Sequence, residues 1–360
     1  MVANKKRVVL TVPTQFSSYA MRTVFCIVVM LVGCAPVMHG PIDEKETAGP
    51  VWPAPPSTPR LAFVMSFSGT EDLGIRKKFL QQLRELISGP RQVRLVRPVA
   101  IVESSDNKFF VADPGVRGVH LFDLERSRYQ LIQGENGQPL PSPVALAAGL
   151  SGEVYVTDSR LAAVFVIEPG KTEAVKVPLE ALLARPTGLA LDRPSGRLYL
   201  VDTGSHEVKI FARDGALLKR FGRRGTGIGE FNYPTMIWMN NGGEILVSDS
   251  LNFRTQVFDS AGNFLRQFGE AGDGAGHQAQ SKGIATDSNG HVYIVDSMMH
   301  AVQIFDSSGT FLFKLGFRGE APGQFWLPAG IFIGERDTIY VADSYNGRIQ
   351  VFRYIGGNSP

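Results

Sequence analysis

Cysteine is nearly missing from the chain, which holds Cys26 and Cys34 and no third. A disulfide framework is therefore excluded as the source of stability, and the fold must rest on its core. Long apolar runs are missing too. The uncharged stretch at residues 24–33 (VFCIVVMLVG) has ten residues, about half of the ~20 that a membrane-spanning helix needs. An excess of one charge is also lacking. The formal +3 comes from Lys5, Lys6, Arg7 and Arg22, which precede Cys34 with no acidic residue among them; from Cys34 onward, 33 Lys and Arg face 34 Asp and Glu, a balance of −1. That balance gives no bulk electrostatic reason to expect nucleic acid. Nor is there a Ser-His-Asp order, a phosphate loop or a zinc-ligand cluster. Glycine (39) and proline (22) are plentiful, the composition of short strands joined by many turns.

The amino-terminal segment has the order of a secretory signal: basic residues, a short apolar run, then small residues. Its exit, Leu31-Val32-Gly33-Cys34, resembles the lipobox of bacterial lipoproteins. The resemblance implies a signal peptide over residues 1–33, cleavage before Cys34 and a lipid on its sulfur, anchoring the chain to a bilayer. Cys26 would leave with the signal. Ala35 after the cysteine, by analogy with Gram-negative lipoproteins, favours an outer membrane facing the periplasm, or the cell surface in another host. Met21 is an alternative start that leaves Cys34 untouched. Residues 34–59 carry prolines at 36, 41, 50, 53, 55, 56 and 59. They are expected to form a semi-extended tether, since proline forbids a helix or a central strand there.

The rest repeats itself. A strand ending in aspartate recurs as FFVAD, VYVTD, LYLVD, ILVSD, VYIVD and IYVAD, ending at Asp113, Asp158, Asp202, Asp249, Asp296 and Asp343. The spacings are 45, 44, 47, 47 and 47 residues. Nine residues after each aspartate a large apolar residue ends a second strand: Phe122, Ile167, Phe211, Phe258, Phe305 and Phe352. A short apolar run precedes each Asp strand across a turn such as NNGGE or DSNGH, whose glycines supply the positive φ of a tight hairpin. A further turn and strand follow, as in AGNFLRQFG. Each unit is thus a four-stranded antiparallel meander of propeller-blade length.

The units PAGIF and TIYVADSYNGRIQVF, with the linkers GRRGTGIGEFNYP and GFRGEAPGQFWLP, resemble NHL repeats over about residues 95–355. The resemblance implies an all-β, six-bladed β-propeller at residues 60–360, expected to be monomeric. The sixth unit lacks its fourth strand, and Arg60–Phe67 is a spare one; pairing them would close the ring. One short amphipathic helix is predicted over residues 75–88, where Phe79, Leu80, Leu83, Leu86 and Ile87 share a stripe.

Function is expected on the face formed by the loops after the Asp strands. The six aspartates suit a structural turn role. Candidate binding residues are those that break or exploit the pattern there: His206, Asn252, Arg254, His300, Tyr345 and Arg348. Asn252, Asn346, Arg254 and Arg348 also match the family's usual Asn and Arg, so a structural use is open for them. No metal or other cofactor is expected, because His206 and His300 lie in blades that are not neighbours and no third histidine matches them. These features point to a membrane-anchored extracytoplasmic binding or scaffold protein for a protein, peptide or glycan. The alternative is a six-bladed-propeller hydrolase or lyase with a metal at the channel mouth.

Overall fold

Every Asp-ended run becomes the second strand of a blade, because its residues are covered on both faces by neighbouring blades. A computed structural model describes residues 49–75, 93–104 and 107–356. The expected signal segment, Cys34, the expected tether up to residue 48 and, apart from Ile75, the helix expected over 75–88 lie outside these residues.

Two strands precede the first blade: β1 (Val51–Trp52) and β2 (Leu61–Phe67). Blade one is β3 (Ala100–Ser104), β4 (Lys108–Asp113), β5 (Gly118–Asp123) and β6 (Arg128–Gly134). Blade two is β7 (Pro143–Ala148), β8 (Val154–Asp158), β9 (Ala163–Ile167) and β10 (Glu173–Lys176). Blade three is β11 (Pro186–Asp192), β12 (Arg197–Asp202), β13 (Glu207–Phe211) and β14 (Leu217–Phe221). Blade four is β15 (Pro234–Met239), β16 (Ile245–Asp249), β17 (Arg254–Phe258) and β18 (Phe264–Phe268). Blade five is β19 (Ser281–Thr286), β20 (Val292–Asp296), β21 (Ala301–Phe305) and β22 (Phe311–Leu315). Blade six takes β23 (Ile331–Ile333), β24 (Thr338–Asp343) and β25 (Arg348–Tyr354) from the end of the chain.

Blades three to five are closed four-stranded antiparallel sheets in chain order. In blades four and five the middle strands are buried throughout, as in ILVSD and RTQVF, whereas the outermost strand alternates with the period of two expected when one face meets solvent. Blades one and two depart from this pattern. Their outer strands touch in parallel, Glu173 opposite Gln133 and Ala174 opposite Gly134, so the two blades share one eight-stranded sheet.

The ring closes where counting the strands expected it to. β2 runs antiparallel along β25, from Leu61 opposite Tyr354 to Phe67 opposite Ile349, and supplies the missing fourth strand. Leu61 is fully buried there. β1 adds a fifth strand outside it. The stretch expected as tether up to residue 59 is therefore seated on blade six from Gly49 onward. Its proline-free pair Val51-Trp52 joins the edge, where proline is otherwise tolerated. The Trp52 ring packs edge-on to Phe352 at 5.7 Å.

Hydroxyls tie blades three to six each to the next around the ring. The residue after the aspartate donates to the carbonyl at the start of the following inner strand: Thr203 to Pro234 (2.6 Å), Ser250 to Ser281, Ser297 to Pro328 (2.6 Å) and Ser344 to Pro98. The last of these joins blade six back to blade one. Inner strands also converge closely. A Cβ on Gly283 would stand 2.8 Å from the Ala329 carbonyl oxygen, which is why only glycine fits there.

Candidate functional site

The six aspartates are all fully buried on the loop face. Each carboxylate holds the connection that enters its own blade. Asp113 accepts from the backbone N–H of Val96 and Arg97, Asp158 from Ser142, Asp202 from Ala184 and Arg185, Asp249 from Asn232, Asp296 from Ala279 and Gln280, and Asp343 from Trp326. Burial pushes the Asp202 carboxyl up. The bonds from the Lys209 ammonium and from the backbone of Ala184 and Arg185 outweigh it and hold the group below its ordinary range.

Five of the six candidate binding residues are spent on this frame. In blade four, Asp249 also accepts from Asn252 Nδ2 (2.8 Å), Arg254 Nε (2.9 Å) and Gln256 Nε2 (3.2 Å). Arg254 then reaches the carbonyls of Gly227 and Glu230, fastening the glycine-rich linker. Blade six repeats the arrangement with Asp343, Asn346, Arg348 and Gln350. His206 and His300 occupy the same left-handed position in blades three and five, at φ of 58° and 53°. Each uses Nδ1 to accept a backbone N–H of the next connection, Tyr233 for His206 (3.1 Å) and Leu327 for His300 (3.0 Å). Burial and the nearby Arg318 guanidinium hold the His300 imidazole below its usual range, which suits a neutral ring acting as acceptor. Among the described residues, no group of three or more His, Cys, Asp or Glu side chains is arranged to hold a metal ion.

Tyr345, the remaining candidate, is 55% exposed on the loop face. It packs at 5.8 Å against Trp326, over which the Arg318 guanidinium lies at 5.5 Å. Leu251 and Met298, at the position equivalent to Tyr345 in blades four and five, are exposed as well. Blades four to six thus present an apolar and aromatic crescent. Blades one to three present exposed Arg97, Arg160 and Arg185, with Val96 and Leu161 exposed beside them.

Between these halves lies the channel mouth. Blades four and six are separated by blade five, so a contact between their inner strands bridges the space in front of blade five. Trp238 and Phe332 make it, at 6.2 Å, and Trp238 Nε1 donates to Thr286 Oγ1 (2.9 Å). This pair forms an apolar floor. Three residues nearer the mouth on the inner strand of blade five stands Lys282, half-buried, roughly 10 Å above the floor at strand rise. Burial, with the guanidiniums of Arg185 and Arg97, holds its ammonium below the usual lysine range.

A family model described as the teneurin NHL domain matches residues 131–320, more than half of the chain. The chain belongs to the NHL-domain family. A second model, described as a six-bladed β-propeller, matches residues 285–357 of this NHL propeller. The human E3 ubiquitin-protein ligase NHLRC1 is 35% identical over 68 residues, which is 19% of this chain and 17% of that protein. The match therefore spans about a sixth of the length of the curated relative. Among solved structures, a virginiamycin B lyase from Staphylococcus aureus superposes with a TM-score of 0.54 at 13% identity, covering 82% of this chain and 99% of the other. An auxiliary nutrient binding protein from Bacteroides thetaiotaomicron gives a TM-score of 0.58 at 12% identity, covering 73% and 70%. At such identities the two structures share the propeller fold.

Sequence reasoning over this NHL propeller missed Arg97, Arg185, Lys282 and the Trp326 crescent. One signal was available for the first two. Arg97-Pro98 and Arg185-Pro186 occupy the same repeat position, just before the inner strand.

Proposed function

We propose that the chain is a lipid-anchored, extracytoplasmic binding protein that holds a protein, peptide or glycan on the loop face of its NHL propeller. One observation carries the reading. The loop face exposes Leu251, Met298, Trp326 and Tyr345 from three consecutive blades on a frame whose buried Asp, Asn and Arg side chains are consumed by structural bonds. Exposed apolar and aromatic groups grouped on a rigid platform are the composition of a recognition surface. The anchor rests on Leu31-Val32-Gly33-Cys34 and the basic, apolar segment before it. A nutrient-binding protein among the similar folds is consistent with a solute or glycan as the ligand.

Photo-crosslinking in intact producing cells tests the face. A photoreactive residue replacing Met298 or Tyr345 is expected to give the same discrete adduct. Placed at Ser260 or Ser307, in the turns at the opposite end of the blades, it is expected to give none. Equal adducts from both ends, or none from either, would remove the reading. The anchor is tested separately by metabolic labelling with an alkyne fatty acid, which should be lost in Cys34→Ser.

A further inference from the structure

We propose that the channel mouth is a binding site for a multivalent oxyanion, carboxylate or phosphate, held by Arg97, Arg185 and Lys282. The proposal deepens the binding reading and rests on the loop face being the ligand face.

The three cations come from blades one, three and five, alternate members of the ring. A point that all three can reach lies near the ring axis. Their anchoring differs from that of the cations enclosed in the frame. Lys209, Arg254 and Arg348 each end on the aspartate of their own blade. Arg97, Arg185 and Lys282 have no side-chain hydrogen bond or ion pair among the described residues. Arg97 and Arg185 are nonetheless fixed at the backbone, their N–H groups bonded to Asp113 (3.0 Å) and Asp202 (2.7 Å). The frame therefore presents the two guanidiniums while leaving their donors unused.

The nearest carboxylates, Asp113 and Asp202, are turned to the backbone N–H groups of Arg97 and Arg185 and bond neither guanidinium. In all six blades, the residue before the inner strand's opening position, that position and the next two include no Asp or Glu. The two residues after each blade aspartate include none either. Thr187 and Thr235, at the level of Lys282 in blades three and four, add hydroxyls. Of these, the Thr235 hydroxyl is shared with Ser250 and the Ser281 carbonyl, and the Thr187 hydroxyl with Thr203. The mouth is thus a cup with cations at its rim, hydroxyls in its wall and the Trp238–Phe332 pair at its floor. Like charges brought together with no carboxylate bonded to their side chains destabilise the free protein, and an entering polyanion relieves that repulsion. Guanidinium pairs favour planar, bidentate oxyanions, which carboxylates and phosphates both offer.

The test uses the purified full chain in detergent micelles, with calorimetric titration at constant ionic strength. Citrate, inorganic phosphate and acetate are the probes and chloride is the background. Citrate or phosphate is expected to bind at one per chain, and acetate at least tenfold more weakly. The stronger of citrate and phosphate names the chemistry of the natural group. Lys282→Met, and the Arg97→Gln/Arg185→Gln pair, are expected to weaken binding at least tenfold. Arg220→Gln, an exposed cation on the outer strand of blade three, should leave it unchanged. Lys282→Met should melt no lower than wild type, which separates lost binding from lost folding. Binding no stronger than acetate, or equally weakened by Arg220→Gln, overturns the site. Crosslinking from Met298 that persists in Lys282→Met, with no citrate or phosphate binding in wild type, sinks the oxyanion site and leaves the loop-face reading standing.

Discussion

Replacing Asp249 by alanine is expected to be among the most damaging single changes in the propeller. Its carboxylate, fully buried, accepts from Asn232 N–H (2.7 Å), Asn252 Nδ2 (2.8 Å), Arg254 Nε (2.9 Å) and Gln256 Nε2 (3.2 Å). Alanine removes the one carboxylate bonded to Arg254 among the described residues; the Arg254 side chain is 9% exposed. Breaking one half of a buried ion pair costs about 3–5 kcal/mol, because the stranded charge has no solvent. The stranded Asn232 N–H adds a desolvation cost of about 1–3 kcal/mol, part of which water can recover. A loss of roughly 4 kcal/mol follows, read as the shift in the urea midpoint followed by circular dichroism. Arg254→Met in the Asp249→Ala background removes the stranded cation, so the double variant should recover about 2 kcal/mol. Asp273→Ala, in an exposed linker, should fall within about 0.5 kcal/mol of wild type. The reasoning fails if Asp249→Ala matches Asp273→Ala, or if Arg254→Met makes matters worse by its full separate cost.

Closure makes two further predictions. Leu61→Ala, in the strand that completes blade six, should cost about 2–5 kcal/mol as a fully buried leucine and raise amide exchange along β25. Ser344→Ala cuts the hydroxyl bond from blade six to Pro98 and leaves that carbonyl without this donor. It should cost about 1–2 kcal/mol by the same urea assay, similar to Ser297→Ala between blades five and six. For His300, whose folded pKa lies below the ordinary 6.5, the unfolded chain takes up its proton first as pH falls. Stability should therefore be full above about 6.5 and decline as pH drops toward the lowered folded value. His300→Asn, which tolerates the left-handed backbone, should flatten that decline in urea midpoints measured between pH 7.5 and 5.

Six blades could be counted in the chain because a propeller is built from local hairpins. Each Asp strand, its turn and the strand after it lie within about 45 residues, so side-chain period and turn glycines are written next to each other. The closing strand was legible for a related reason: five complete units and one short of a strand leave Arg60–Phe67 with a single place to go. The same locality misled at Gly49–Pro59. Proline content there described a tether, whereas one hairpin pair and the Trp52 ring are enough to seat the stretch on blade six.

What no local pattern contains is direction in space. Arg254 and Arg348 looked like loop-face cations by position, and the same sequence pattern that exposed them as candidates turns their guanidiniums inward onto Asp249 and Asp343. Whether an arginine at that repeat position meets solvent or a carboxylate depends on the strand's face and on the linker packed over it. Arg97, Arg185 and Lys282 lie in separate blades, and the chain order shows no relation among them. Closing the ring brings alternate blades to one axis, and that convergence is what would make these three cations, which have no side-chain partner among the described residues, the proposed cluster. The sequence determined the repeat, the blade count and the closing strand through short-range periodicity. The tertiary ring decided which polar groups are consumed by the frame and which are left to meet a ligand.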